Sequence, residues 1–324
     1  MLSITITKND ENQRLDKFLS KAFPLLPQSM IYKGIRNKRI KINNARCEAS
    51  TKLREGNVLS LYINDEFLKK SEDLSFLDVK PDITAVYEDE NILILHKPSG
   101  LLVHEDENNE CDTLINRALR YLHDKGEYTA EDMAFCPALC NRLDRGTEGL
   151  VICAKNAEAL RFINEKIKNR EVVKKYLCIV HGSPPRDAEV MTAYLKKDEN
   201  RKLVSVSRTK LPGYKTIITG YRIVHKTAEY AILDVDLKTG RTHQIRAHLA
   251  HAGMPIVGDG KYGRGDKNKM CGITRQALCA YSLTFNFADA ADSWQYLNGK
   301  RVELDKKQIL TAYKEQIAGR SAAN

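Results

Sequence analysis

The decapeptide NRLDRGTEGL, residues 141–150, sets one carboxylate, Asp144, between Arg142 and Arg145 and closes with Gly146 and Gly149. Nearby cations favour the charged form of a carboxyl group, so Asp144 is expected to be ionised at neutral pH. In that state it can act as nucleophile or base on a substrate whose phosphates the same arginines hold. A structural ion pair on a glycine-bounded turn would use the same residues, and the decapeptide alone leaves both readings open. Other chemistries find less support. No G-x-x-x-x-G-K-[ST] or G-x-G-x-x-G opens a helix after a strand, so nucleotide binding has no motif. His243 and His248 are five residues apart, with His251 beyond them, and that spacing puts the first two on different helix faces, unlike a zinc-binding i, i+4 pair. Of the eight cysteines, only Cys136 and Cys140 are close, and no second Cys or His pair stands at zinc-finger spacing. Others lie in apolar runs such as VICAK and YLCIV, where cysteine behaves as a small hydrophobe. No metal and no cofactor are expected.

Behind these residues lies a chain of 324 residues, enough for two domains at about 150 residues each. No run reaches the roughly 18 to 20 apolar residues of a membrane span, and the N-terminus turns polar too early for a signal peptide. A cytoplasmic, membrane-free protein is expected. Lys plus Arg exceed Asp plus Glu by 52 − 42 = 10. Asn12 to Tyr62 alone holds 11 basic and 3 acidic residues, which is most of that excess. Concentrated positive charge of this kind points to a nucleic-acid surface. Within it, Asn12–Ala22 reads as a helix with Leu15, Phe18 and Leu19 on one side. Ser29 is placed to cap a second helix, SMIYKGIRNK, which buries Ile31 and Ile35 and turns Lys33 and Arg36 outward. Short strands around turns at NNAR and REGN follow.

Beyond a charged, linker-like stretch the pattern is mixed. ITAVYEDENILILHK reads as a hairpin about EDEN. TLINRALRYLHDKG is an amphipathic helix stopped by Gly126, and AEALRFINEKIKNR is another with the stripe Leu160, Ile163, Ile167. VVKKYLCIVHG alternates, so Val172, Tyr176, Cys178 and Val180 are expected to share a face, as are Ala231, Leu233, Val235 and Leu237 in EYAILDVDLKTG. TGRTHQIRAHLAHAG starts a helix that Gly253 can end. The tail from Trp294 reads as a short strand and a helix fraying into GRSAAN. Strands with interspersed helices and hairpin-length connections indicate an α+β fold around a largely antiparallel or mixed sheet, not a doubly wound parallel one.

Two resemblances sharpen these expectations. RLDKFL, IRNKRIKIN and GNVLSLYI resemble the S-four-like RNA-binding domain, a small α/β module named after a ribosomal protein. Its implied phosphate contacts are Arg14, Lys33, Arg36, Lys38, Arg39 and Lys41. KPSGLLVH, NRLDRGTEGLVICAK, KKYLCIVHG and LKTGRTHQIRAHLAHAGMPIVGDGKYG occur in this order over residues 97–263 and resemble the RluA-type pseudouridine synthases, notably members that act on 23S (large-subunit) ribosomal RNA. The resemblance implies the pseudouridine synthase fold with an active-site cleft, and isomerisation of uridine without a cofactor. It implies Asp144 as the catalytic acid, Tyr176 packed on the uracil ring, Arg246 paired with Asp144, and Arg142 holding the flipped nucleotide out of its stack. The expected divisions are an RNA-binding domain over 1–65, a linker over 66–80, a catalytic domain over 81–290 and a C-terminal extension over 291–324, working as a monomer on RNA. The sequence departs from the family pattern at Asn141, Gly146 and Glu148, and Glu148 is expected to add negative charge near the site. The rival readings are a non-catalytic RNA-binding or ribosome-assembly factor on the same scaffold, which would make no product, and an RNA N-glycosidase, which would release free uracil.

Overall fold

The structure is a computed structural model that describes residues 1–68, 74–107, 110–129, 135–198, 203–263, 275–289 and 291–321. Cys271 and the last three residues of the expected fraying tail lie outside these. The N-terminal module has a three-stranded antiparallel sheet in the order β1 (Leu2–Thr5), β3 (Val58–Leu61), β2 (Ile40–Ile42). Helices α1 (Leu15–Ala22) and α2 (Gln28–Arg36) complete it. Leu15, Phe18, Leu19, Ile31 and Ile35 join the strand residues in one buried cluster, as their helical spacing requires. Helix α1 starts three residues later than expected because Asn12 takes a left-handed conformation (φ 62°) and Arg14 is extended. The Ser29 cap does not form. Pro27 occupies the N-cap with no side-chain bond, and its carbonyl accepts the Met30 and Ile31 N–H groups, which places Ser29 inside the first turn.

The rest of the described chain surrounds a mixed sheet of eleven strands. In chain order these are β4 (Thr84–Glu88), β5 (Ile92–Lys97), β6 (Ala138–Leu139), β7 (Glu148–Ala154), β8 (Val172–His181), β9 (Ala188–Asp198), β10 (Leu203–Ser207), β11 (Lys215–Lys226), β12 (Tyr230–Leu237), β13 (Leu278–Phe285) and β14 (Arg301–Glu303). The main path runs β10-β9-β11-β12-β8-β13-β7-β5-β4, with β14 on β13 and β6 on β7. Along it every pair is antiparallel except β13 with β7. That parallel contact is the hinge of the design, because it brings the loop before β7 alongside β8. Gly149 makes it possible: at φ +127° it passes so near β13 that a Cβ would sit 2.3 Å from the Ala280 carbonyl oxygen.

One face of the sheet carries Leu93, Leu95, Val151, Tyr176, Cys178, Leu233 and Val235 against α3 (Leu114–Asp124) and α5 (Gln244–His251). The other carries Ile92, Ile94, Leu150 and Ile152 against α4 (Ala157–Lys168). Leu177, Ile179 and Tyr281 meet Tyr313 and Ile317 of α6 (Lys306–Ser321). The C-terminal strand and helix are therefore packed onto the sheet. Val172 departs from its expected face and packs with Ile163 and Phe285. Opposite this part of β8, β13 carries an extra residue between Ala280 and Ser282, and such a bulge increases local twist.

Candidate active site

Three distant segments meet on the α5 side of the sheet. Asp144 lies in the loop entering β7, Tyr176 on β8 and Arg246 in α5, whose residues Gln244–Leu249 are all buried. Arg246 Nη1 donates to Asp144 Oδ2 at 2.6 Å across 102 residues of sequence. The arginine side chain is 8% exposed and the aspartate 27%, so the acid is the partner that faces outward. Arg246 is held from behind as well. Its Nε and Nη2 donate to Asp259 at 2.7 and 2.9 Å, and that carboxylate is fully buried. Fixed between two anions, the guanidinium is raised further above its ordinary range by Asp259 and Asp144 against the cost of burial. Tyr176 is buried to 6% exposure. Burial first, then the charge of Asp144, push its phenol above the usual tyrosine range. The site is thus a carboxylate with a fixed cation behind it and a neutral aromatic beside it. It can direct a localised negative charge at a substrate atom without reorganising.

Beneath the loop lies Lys97, which has no exposed surface and which the sequence reading did not single out. Its ammonium donates to the carbonyls of Pro98, Leu101 and Arg145 at 2.9, 2.8 and 3.1 Å, tying the 98–101 turn to the Asp144 loop. Burial brings it down to about 8, opposed by the charges of Asp144 and Glu148. His243, Asp259 and Tyr262 also surround Asp144 and Arg246. Histidine 243 had meaning in the sequence only as a poor metal ligand, and the one signal for the others was an acid and an aromatic inside the glycine-bounded GDGKYG.

The immediate neighbours of Asp144 behave differently from the sequence expectation. Neither adjacent arginine is its ion-pair partner. Arg145 donates to the Gly100 carbonyl at 3.0 Å and pairs with Glu110. Arg142 is exposed, and its charge reaches His104, which burial chiefly and Arg142 secondarily hold below the ordinary imidazole range. The expected acidic intrusion of Glu148 does not occur on this face either. Its carboxylate meets His96 Nε2 at 2.8 Å, and His96 alternates with Ile92 and Ile94 on the opposite side of the sheet. Asn141 is a buried clamp: it accepts the Ile152 N–H at 2.9 Å and donates to the Leu150 carbonyl.

In the N-terminal module, Lys33, Arg36, Lys38 and Arg39 are exposed and Lys41 is half-buried, its ammonium 5.6 Å from the Tyr62 ring centroid. Lys38 closes α2 in the left-handed conformation (φ 61°), so it and Arg39 stand on the turn into β2. Arg14 is engaged elsewhere. It grips buried Asp16 through Nε and Nη2 at 3.0 and 2.8 Å.

The chain is similar to known proteins over most of its length. Residues 91–251 match the RNA pseudouridylate synthase family, and residues 13–59 match the S4 domain. An uncharacterized RNA pseudouridine synthase of Mycoplasma genitalium is 33% identical, the match covering 95% of this chain and 92% of that protein. The ribosomal large subunit pseudouridine synthase C of Buchnera aphidicola is 35% identical over 87% of this chain and 88% of its own length. Among solved structures, human RNA pseudouridylate synthase domain containing 1 is similar in fold, with a TM-score of 0.53 at 18% identity over 72% of this chain and 95% of that one. Among the described residues, no helix is long and apolar enough to cross a membrane.

Proposed function

The chain belongs to the RNA pseudouridylate synthase family, and on that premise we propose that it isomerises uridine in 23S (large-subunit) ribosomal RNA with Asp144 as its catalytic carboxylate. The reaction breaks the bond from C1′ to N1 and forms one from C1′ to C5. The C5 proton departs and N1 ends with a proton, so the product is an isomer of the substrate.

A stacked uridine hides its glycosidic bond, and an enzyme acting on it swings the nucleotide out. Arg142, exposed beside the loop, is the residue to fill the vacated space or hold the backbone. Asp144 then meets the extruded nucleotide through its outward side. Arg246 keeps that carboxylate aimed, and Tyr176 packs against the uracil ring. The cations at Lys33, Arg36, Lys38, Arg39 and Lys41 hold phosphates of the surrounding RNA, with Arg14 steadied by Asp16 beside them. Such contacts add affinity and register but carry no base identity. The observation carrying the reading is the 2.6 Å pair between Asp144 and Arg246, in which the acid alone retains substantial exposure. The three site side chains come from one chain, so the reading makes the active form a monomer that meets its RNA in the cytoplasm.

The test is pseudouridine formation on 23S and transfer RNA transcripts supplied separately, followed by mapping of modified positions. Product at discrete positions in the 23S transcript is expected. Product confined to transfer RNA would overturn the substrate assignment.

A further inference from the structure

Each oxygen of Asp144 has its own neighbour. Oδ2 accepts the Arg246 hydrogen bond, and Oδ1 lies 3.8 Å from His243 Nε2. Both neighbours run back to the same short turn, residues 258–263. Asp259 takes the Nε and Nη2 edge of Arg246 in a two-bond fork and leaves Nη1 to point at Asp144. Asp259 is itself fixed, because its Oδ1 also accepts the backbone N–H groups of Lys261 and Tyr262 at 2.8 and 3.1 Å.

Three residues further on, the Tyr262 hydroxyl accepts the Val204 N–H at 2.9 Å and lies 2.8 Å from His243 Nδ1. A phenol has a single hydrogen to give. With Val204 donating to the oxygen, the arrangement that uses every hydrogen has the hydroxyl donate to Nδ1. The ring proton then sits on Nε2, the nitrogen facing Asp144. Burial holds His243 below the ordinary imidazole range. The charge of Asp144 pulls it upward, Arg246 and Lys261 push it down, and Asp259 pulls weakly upward. Burial thus favours the neutral ring, which carries one N–H. The Tyr262 ring also lies 5.3 Å from the Arg246 guanidinium carbon. The turn has little freedom to shift, since a Cβ on Gly258 would fall 2.0 Å from the Arg275 carbonyl oxygen.

We infer that Asp259 and Tyr262 are positioning residues for the reaction, the first aiming Arg246 at one oxygen of Asp144, the second fixing His243 as the N–H donor that faces the other. This inference rests on the reading of Asp144 as the catalytic carboxylate. It gives the GDGKYG segment a function that neither residue performs by touching substrate.

The test compares the full-length parent with Tyr262→Phe and Asp259→Asn. Single-turnover rate on the 23S transcript, RNA affinity, thermal unfolding and nitrogen spectra of ¹⁵N-histidine-labelled protein are measured for each. Tyr262→Phe is expected to stay folded with parental RNA affinity and a melting temperature lowered by the unpaired Val204 N–H, while the rate of its folded fraction falls about tenfold, the loss of one aligned hydrogen bond. Its His243 is expected to change from the pure Nε2–H form to a mixture of tautomers. Asp259→Asn is expected to lose about a hundredfold in rate for its folded fraction, as small misplacements of a reacting group do. A parental rate in Tyr262→Phe, or a parental His243 protonated on Nδ1, would overturn the inference, as would an Asp259→Asn whose rate falls only with its folded fraction. A parent without turnover on any RNA would instead sink the synthase reading, and the nitrogen spectra would still decide the tautomer.

Discussion

The basic module and the Asp144 loop both depend on cations, but they hold them in opposite ways. Lys33, Arg36, Lys38 and Arg39 stand in solvent with no described carboxylate bonded to them. Arg246 is buried, forked onto Asp259 and paired with Asp144. An exposed cation is free to meet any phosphate and is screened by salt. A buried cation contributes direction, and it tolerates little change because its partners were desolvated with it. On the proposed function the same charge would supply affinity in one region and aim in the other.

Four changes would break or sharpen this contrast. Arg246→Met leaves Asp259 buried without its counter-ion and is expected to cost about 3 to 5 kcal/mol in urea unfolding, as well as turnover. A loss below about 1 kcal/mol would mean the cation is not held as described. Acid comes next. Buried His248, against Thr219 Oγ1 at 3.0 Å, is brought down to about 4 by burial, with His251 adding to it. An unfolded histidine titrates near ~6.5. Between these values the unfolded chain binds a proton that the folded chain refuses, so stability present above about 6.5 is lost as pH falls toward 4, on the order of 3 kcal/mol. Asp16 runs differently: Arg14 chiefly holds it low against burial, so the module keeps that stability above about 3.9 and loses it only below. Trp294, the chain's single tryptophan, is buried beside α4 and reports on the larger unit alone. Its fluorescence should show the acid weakening, and His248→Gln should remove it.

The module answers to salt instead. Replacing Lys33, Lys38 and Arg39 by alanine is expected to leave unfolding unchanged, weaken RNA binding, and flatten log Kd against log salt by about one unit of slope per phosphate contact removed. An unaltered slope would mean these cations do not touch phosphate. The smallest effect is expected at Glu148→Ser. Glu148 pairs with His96 on the far face, and the pair is partly exposed, so activity should stay within about twofold and stability within about 1 kcal/mol. A large gain in RNA affinity would place its charge back at the substrate face.

How far the sequence could be read depends on the range over which each feature is encoded. Helices α3 and α4 announce themselves through apolar residues one turn apart; α3 buries Leu114 and Ala118, and α4 buries Ile163 with Leu160 and Ile167 half-buried on the same cluster. Local rules reached less far where two of them competed, as at Ser29, whose capping ability is overridden by Pro27 setting the helix entrance. Helix α5 hides its burial, since Gln244, Arg246 and His248 are polar and enclosed on every side by partners distant in sequence. The pairing of Asp144 with Arg246 has no local signature, and family resemblance alone supplied it. The adjacent arginines were misleading for a related reason: sequence neighbours on a turn diverge, and Arg145 is claimed by Gly100 and Glu110. Asp259 and Tyr262 were legible only as residue types, because the bonds that orient them exist only after α5 packs.

The most direct test is tritium release from C5-labelled 23S transcript by Asp144→Asn and the parent under single-turnover conditions, with RNA binding measured in parallel. An isosteric amide keeps the shape and removes the charge that Arg246 aims, so release should fall to background while RNA affinity stays near that of the parent. Release at the parental rate would contradict the account, because the ion pair would then have no part in the chemistry.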